Sequence, residues 1–361
     1  MPELGEAAPT FTTPDSWESF AETIEEFYRK GWTDGLPVVP PTPDLVQRMV
    51  ERSGRDPRDL LGPVPPRMGL ATVETVAANA VMAGCLPEYF PVVLATVEAA
   101  LDERFNLNGL QATTHPAGPL IIISGPVVKD LDINYGTSAF GPGYRSNATI
   151  GRALRLVMMV LGGGYPETGD KSVLGSPGKY VYCIGESPDA PWGPLHRDFG
   201  ADSPSGVTVI GCDSPNQYAS GGPNKNPDVI LLDMVEQVQV CWHMIRRGGE
   251  ALFVLNPIIA RSLHDAGWTK RDIGEHIHEQ ALVPMKRMLE RHRMGWNAGA
   301  PEDVWPATPE DLDDATMMPV LRKPEHLLLT VAGGLQATFC ACIQGWGYMG
   351  GWATSRPIRT D

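Results

Sequence analysis

The sequence contains no uninterrupted apolar run near the roughly eighteen residues that a membrane-spanning helix needs. It also lacks any basic cluster: 29 lysines and arginines stand against 43 acidic residues, and the formal charge is −14. An acidic chain without a basic stripe is not expected to bind nucleic acid or an anionic membrane surface. Cysteine is scarce as well. Six are spread widely over 361 residues, which in a chain this long argues for reduced thiols rather than a disulfide framework. The opening MPELGEAAPTFTTPDSW is acidic, proline-rich and without an apolar signal segment, so the expected location is cytoplasmic.

Apolar residues make up 42% of the chain, enough for a full core. Residues 1–15 read as a flexible lead. Trp17, Phe20, Ile24 and Phe27 then form a helical stripe that stops near Gly31, a second helix is expected over 44–53, and 54–69 reads as an irregular Pro- and Gly-rich connection. Four short β-branched runs, 120–124, 207–210, 251–255 and 327–331, each end at Gly, Asn or Pro, as buried strands do. Helical patterns lie between them at 148–161, 229–246, 260–264 and 270–292. Strand alternating with helix predicts an α/β (or α+β) fold. Two related lobes are expected, 16–200 and 201–361, with the seam near Ala201 where the composition turns to Asp, Ser, Pro and Gly.

Residues 72–101, TVETVAANAVMAGCLPEYFPVVLATVEAAL, place Cys85 between two apolar helical patterns, after a Gly84 stop and before Pro87. A thiol near a helix N-terminus is favoured as thiolate, and free backbone N–H groups there can receive an oxyanion. The plain alternative is a buried cysteine acting as a small hydrophobe. His115, in TTHPAGPLIIISGP, stands at the mouth of a predicted strand, where an imidazole can exchange protons; within reach of Cys85 it would make an activated nucleophile.

Two loops are long for plain connectors, 130–147 (DLDINYGTSAFGPGYRSN) and 162–179 (GGGYPETGDKSVLGSPGK), and 213–228 is a third candidate for a lid or an oligomer arm. In the first, Asn147 reads as an N-cap with Arg145 two residues earlier, beside Tyr144, so backbone N–H groups and a guanidinium can face a carboxylate or phosphate. Lys179 precedes a predicted strand over 180–184 and Glu186 follows it; the lysine suits an anion or, desolvated, base or Schiff-base chemistry. Asp170 and His196 are lesser candidates. Glycines 162–164 follow a helix rather than a strand, which is the wrong context for a nucleotide loop. His276 and His278 would point to different helix faces, and Cys340 with Cys342 share a strand face without further ligands. No cofactor is therefore expected, and a bound metal ion is left open. The tail GWGYMGGWATSRPI carries glycine-flanked aromatics suited to a pocket or a neighbouring subunit, so a homo-oligomer is expected.

The segments GWTDGLPVVPPT, MAGCLPEYFPVV, TTHPAGPLIIISGP, NATIGRALRLVMM, GSPGKYVYC and AGWTKRD resemble a bacterial family related to the UGSC-motif proteins, some of which are selenoproteins. The resemblance runs over nearly the whole chain and implies that Trp32, Asp34, Cys85, Glu88, His115, Asn147, Gly178 and Lys179 fall in signature segments, with Arg356-Pro357-Ile358 as the usual ending. The Sec/Cys-Gly-Ser-Cys element of those relatives is missing, which weighs against thiol redox chemistry.

The resulting expectation is an enzyme acting on a small anionic metabolite by lyase, hydratase or hydrolase chemistry. Cys85 would be nucleophile or acid and His115 would exchange protons. Lys179, Arg145 and Asn147 would hold the negative group, Trp32 and Asp34 would form one wall, and Glu88, Tyr144 and Glu186 would complete the binding set. Two other expectations stand beside it: a thiol redox protein using Cys85, and a non-catalytic binding or assembly protein built on the long loops and aromatic tail.

Overall fold

Strand 118–124 is apolar or small throughout and buried at every position, the pattern of a strand covered on both faces. The fold is arranged around it and a counterpart in the second half. The computed structural model describes residues 16–242, 245, 249–286, 313, 315–347 and 351–359, so the expected lead 1–15 lies outside the described residues.

Helices α1 (Trp17–Lys30) and α2 (Pro43–Ser53) precede a hairpin of β1 (Leu60–Val64) and β2 (Gly69–Thr72). Helices α3 (Val73–Ala83), α4 (Phe90–Ala100) and α5 (Leu107–Ala112) lead into β3 (Gly118–Ser124). A short α6 (Val127–Asp130) and the longer α7 (Arg145–Leu156) return the chain to β4 (Cys183–Gly185), followed by α8 (Leu195–Asp198), β5 (Gly206–Cys212) and β6 (Asn216–Ala219). The second half contributes α9 (Pro227–Val240), β7 (Ala251–Leu255), α10 (Pro257–Asp265) and α11 (Lys270–Gln280). A hairpin of β8 (Leu282–Pro284) and β9 (Met317–Pro319) follows, then β10 (Leu327–Val331), β11 (Phe339–Gln344) and β12 (Thr354–Pro357).

Two four-stranded mixed sheets result, ordered β4-β3-β5-β12 and β10-β7-β11-β6. In each, the central strand has a parallel neighbour on one side and an antiparallel neighbour on the other. Their inner faces meet through Leu120, Ile122, Ile184 and Ile210 from one sheet and Leu252, Val254, Leu328 and Ile343 from the other. The outer face of the first sheet packs on α1 to α4 and α7, and that of the second on α9, α10 and α11. The class is α/β, with helices, sheet, sheet and helices in four layers.

The two halves follow one plan. Strands β3 and β7 both run into a Pro-initiated turn, at Gly125-Pro126 and Asn256-Pro257. Helices α7 and α11 each carry an Ile-Gly pair whose glycine lies against the entry to the parallel neighbour strand: Gly151 faces Val181 and Cys183, and Gly274 faces Pro324 and Leu327. The fourth strands are exchanged. β6 follows β5 but pairs with β11 in the second sheet, while β12 follows β11 but pairs with β5 in the first, and the crossing is marked by a bridge between Cys212 and Gly345.

This exchange corrects the expected seam. A cut near Ala201 would remove β5 and β12 from the sheet that β3 begins, so 16–200 and 201–361 are not separable units. Residues 54–69 are also more ordered than their Pro and Gly content suggests, because they hold β1 and the turn into β2. Helix α11 stops at Gln280 and the chain turns into β8; residues 287–292 of the expected helix lie outside the described residues. Among the described residues no helix is long and apolar enough to cross a membrane.

Candidate functional site

Cys85 lies between two helices, as its sequence context predicts, but inside the core. Thr72 and Thr75 cap α3 reciprocally, Gly84 ends it with a left-handed backbone, and Pro87 opens a single 3-10 turn before α4. The thiol is fully buried against the Thr149 hydroxyl and Cys183, with the Arg145 and Arg152 guanidiniums nearby. Burial pushes it up to about 12, and the Thr149 hydroxyl and the two guanidiniums offset this only in part. That is the environment of a small hydrophobe, so the structure does not supply the thiolate that the helix junction suggested.

His115 has a different partner. Its Nε2 lies 2.5 Å from Oδ1 of Asp213, the residue directly after β5, and both side chains keep some access to solvent at 24% and 17% exposure. The pair is held from both sides. Thr113 Oγ1 accepts the His115 amide, Asp213 donates its amide to the Gln344 carbonyl, and the Asp213 carbonyl accepts the Tyr182 hydroxyl at 2.8 Å. A carboxylate on one imidazole nitrogen fixes the ring's orientation and leaves the other nitrogen for a reacting proton.

Beside the pair lies loop 162–179. It is tied down where the Lys171 and Val173 amides donate to the carbonyls of Gln111 and Thr114. Its Lys179 runs its methylene stem past Gly118, where an added Cβ would meet Lys179 Cγ at 3.5 Å. Both Asp170 oxygens accept from Lys179 Nζ, at 2.8 and 2.7 Å, and each side chain is only 13% exposed. Burial lowers the lysine, and the Asp170 charge opposes that without cancelling it.

A second ion pair stands nearby. Asp34 accepts two hydrogen bonds of 2.8 Å from Arg152 on α7, in the forked geometry of a guanidinium on a carboxylate. Burial alone would raise Asp34, but Arg152 and the Leu36 amide hold it below the ordinary carboxylate value. Arg155, one turn further along α7, feels the charges of both Asp170 and Asp34, yet among the described residues it makes no hydrogen bond or ion pair, and its buried Nε has no acceptor there. It is 7% exposed. Burial pulls its pKa down, against the pull of the two carboxylates. Helix α7 passes into a π-turn over Val157–Leu161, a local irregularity that recurs at functional sites. The three glycines that follow are fitted to close packing: a Cβ on Gly162 would lie 2.4 Å from the Pro65 carbonyl oxygen, and one on Gly164 would lie 2.1 Å from Gln111 Oε1.

The other expected site residues are spread out. Arg145 is exposed and donates to the Gly84 carbonyl at 3.0 and 2.9 Å, so it closes the cysteine turn. Asn147 does not cap α7. It lies buried in the first turn, where its side chain accepts the Asn134 amide and donates to the carbonyls of Asn134 and Cys183. Glu186 is buried between the sheets, accepting from the Leu195 amide and the Thr330 hydroxyl; burial raises it against these bonds. It lines a cavity of about 360 Å³ with Lys129, Trp192 and Arg197, at the carboxyl ends of β3 and β4. The matching ends of β7 and β10 border a cavity of about 450 Å³ with an uncharged lining that includes Thr137, Asn256 and Gln336. Trp32 packs edge-on against Phe27, whereas Glu88 and Tyr144 are exposed. His196 is buried and bonded to the Ser203 carbonyl.

In the tail, Trp346 belongs to the core and Trp352 packs tilted against His326 with ring centroids 4.8 Å apart, while Tyr348 lies outside the described residues. Among the described residues no cluster of three His, Cys, Asp or Glu side chains is placed to hold a metal ion. No protein-family model matches this chain, and no curated protein does.

Two members of this constellation had no clear signal in the sequence, whereas Asp170 stood there as a lesser candidate. Asp213 lies 98 residues from His115 and meets it only through a tertiary contact, and Arg155 sits in a segment, NATIGRALRL, that reads only as a helical pattern. A buried turn would have marked it, since Leu154 and Leu156 flank it on the chain.

Proposed function

We propose that the protein is an enzyme acting on a small anionic metabolite by lyase, hydratase or hydrolase chemistry, with His115 as the proton-exchanging group and Asp213 as its orienting carboxylate. The observation that carries this reading is the His115–Asp213 pair, partly open to solvent and next to the Lys179-bearing loop. Cys85 has no part in it. The reaction needs His115 to take a proton from water or from a carbon or oxygen of the substrate and return one to the leaving group, while the net positive charge where α7 faces loop 162–179 opposes the substrate's negative charge. A cytoplasmic homo-oligomer among the relatives of the UGSC-motif proteins belongs to the same reading.

The test is turnover of a panel of small hydroxy acids, unsaturated acids and acid esters by the full chain, compared with His115→Gln and Asp213→Asn. His115→Gln is expected to lower kcat by about 10²–10⁴, and Asp213→Asn to lower it less, with folding unchanged by circular dichroism. Equal turnover in all three proteins would sink the proposal.

A second reading, thiol redox chemistry, has one observation in its favour, and it does not involve Cys85. Cys241, half-buried at the end of α9, hydrogen-bonds with Cys342 on β11, and that bond lowers Cys241 and raises Cys342.

A further inference from the structure

Three cations meet two carboxylates where α7 faces loop 162–179: Arg152, Arg155 and Lys179 against Asp34 and Asp170. Each carboxylate is already engaged. Asp34 is forked by Arg152, and Asp170 gives both oxygens to Lys179. One positive charge is left over, and it resides on Arg155, a side chain more than nine-tenths buried whose Nε has no acceptor. A guanidinium taken out of water without a hydrogen-bonded partner is costly, and proteins keep such groups where something completes them. Arg145, Asn147 and Lys179, which the sequence nominated as anion holders, are all spent on internal partners.

We propose that Arg155 is the receptor for a single carboxylate group of a small ligand, bound through the guanidinium fork. The excess of one charge matches a monoanion, and two parallel N–H donors match the planar geometry of a carboxylate better than a dianionic phosphate. Asp34 and Asp170 act as positioning residues: they hold Arg152 and Lys179 away from the ligand and offset their charge. This rests on the proposed enzyme reading only for the identity of the ligand as substrate; the binding proposal itself stands on the burial of Arg155, its unpartnered Nε and the engagement of both nearby carboxylates.

The experiment is thermal unfolding of the full chain at constant ionic strength, titrated separately with sodium acetate, sodium chloride and inorganic phosphate. Acetate is expected to raise the Tm of the wild type saturably, by mass action on the folded state, and chloride and phosphate to do so much less. Arg155→Met is expected to lose the acetate response and, without acetate, to be at least as stable as the wild type, because an unpaired buried charge has been removed. Arg155→Lys keeps the charge but not the fork, and its acetate affinity is expected to fall about tenfold or more. His115→Gln should keep the full response, so that loss of turnover with intact acetate binding separates failure of the catalytic reading from failure of this one. An identical acetate response in wild type, Arg155→Met and Arg155→Lys overturns the proposal, as does a response to phosphate alone. Should Arg155→Met not fold, the Arg155→Lys titration still decides.

Discussion

A thiol enclosed by Thr149, Cys183 and two guanidinium groups meets an electrophile only when the packing around it opens. For Cys85 this sets an order of reactivity among the six cysteines. With its thiol held at about 12, alkylation at neutral pH is expected to track unfolding and to stay negligible in the native protein. Cys183 and Cys212, both fully buried and raised, should behave alike. Cys241, the half-buried thiol whose pKa is lowered by Cys342, is expected to react first. Iodoacetamide labelling read by peptide mass, with and without denaturant, checks this, and early modification of Cys85 would restore it as a candidate nucleophile. Slow labelling of Cys241 would remove the redox reading. At this scale the sequence revealed which residue types stand in loops, and His115, Asp34 and Lys179 were visible on that basis. Their pairings were not, because Asp213 lies 98 residues from His115, the path of the loop that brings Asp170 to Lys179 is not written in its composition, and an arginine in a helix looks the same whether it faces water or a buried carboxylate.

Among the elements, the strands buried on both faces were the legible ones, since each leaves a short continuous apolar run ended by Gly, Asn or Pro. The strands that escaped notice lie at sheet edges or in hairpins. β6 reads NQYA and is largely exposed, β12 reads TSRP, and β1 contains both Gly and Pro, so none carries an apolar signature. The crossing between β11 and β12 has an energetic consequence. There the chain passes Glu250, which is buried, with its carboxylate accepting the Ala353 amide at 2.9 Å and its carbonyl accepting the Gly345 amide. Burial lifts this carboxyl from 4.5 to about 7, against the pull of the Ala353 amide and the Arg104 charge. Between those values the folded chain keeps a proton that the unfolded chain has released. Stability therefore falls as pH rises through this window, by about 3 kcal/mol from this group, and levels off above it. Glu250→Gln retains an oxygen for the Ala353 amide and has nothing to ionise. Urea unfolding at pH 5 and pH 8 should show the variant gaining on the wild type at the higher pH, and an equal difference at both would refute the assignment.

On the scale of the whole molecule, the exchange of β6 and β12 ties the two sheets into one cooperative body. Neither sheet can lose its fourth strand without pulling on the other, and the inner faces share one apolar layer. Calorimetry is expected to show a single unfolding transition whose calorimetric and van't Hoff enthalpies agree, whereas two resolved transitions would mean that the lobes melt separately. The same feature governs the order of events on the ribosome. β5 emerges early, but the strand that closes its outer edge comes only with residues 354–357, so the first sheet waits through the synthesis of the entire second one. A nascent chain in that state displays an open row of backbone donors and acceptors along an apolar strand, which other chains can pair with. Completion of this fold thus waits for residues 354–357, and a product truncated or stalled before them would be a substrate for chaperones rather than a smaller working protein.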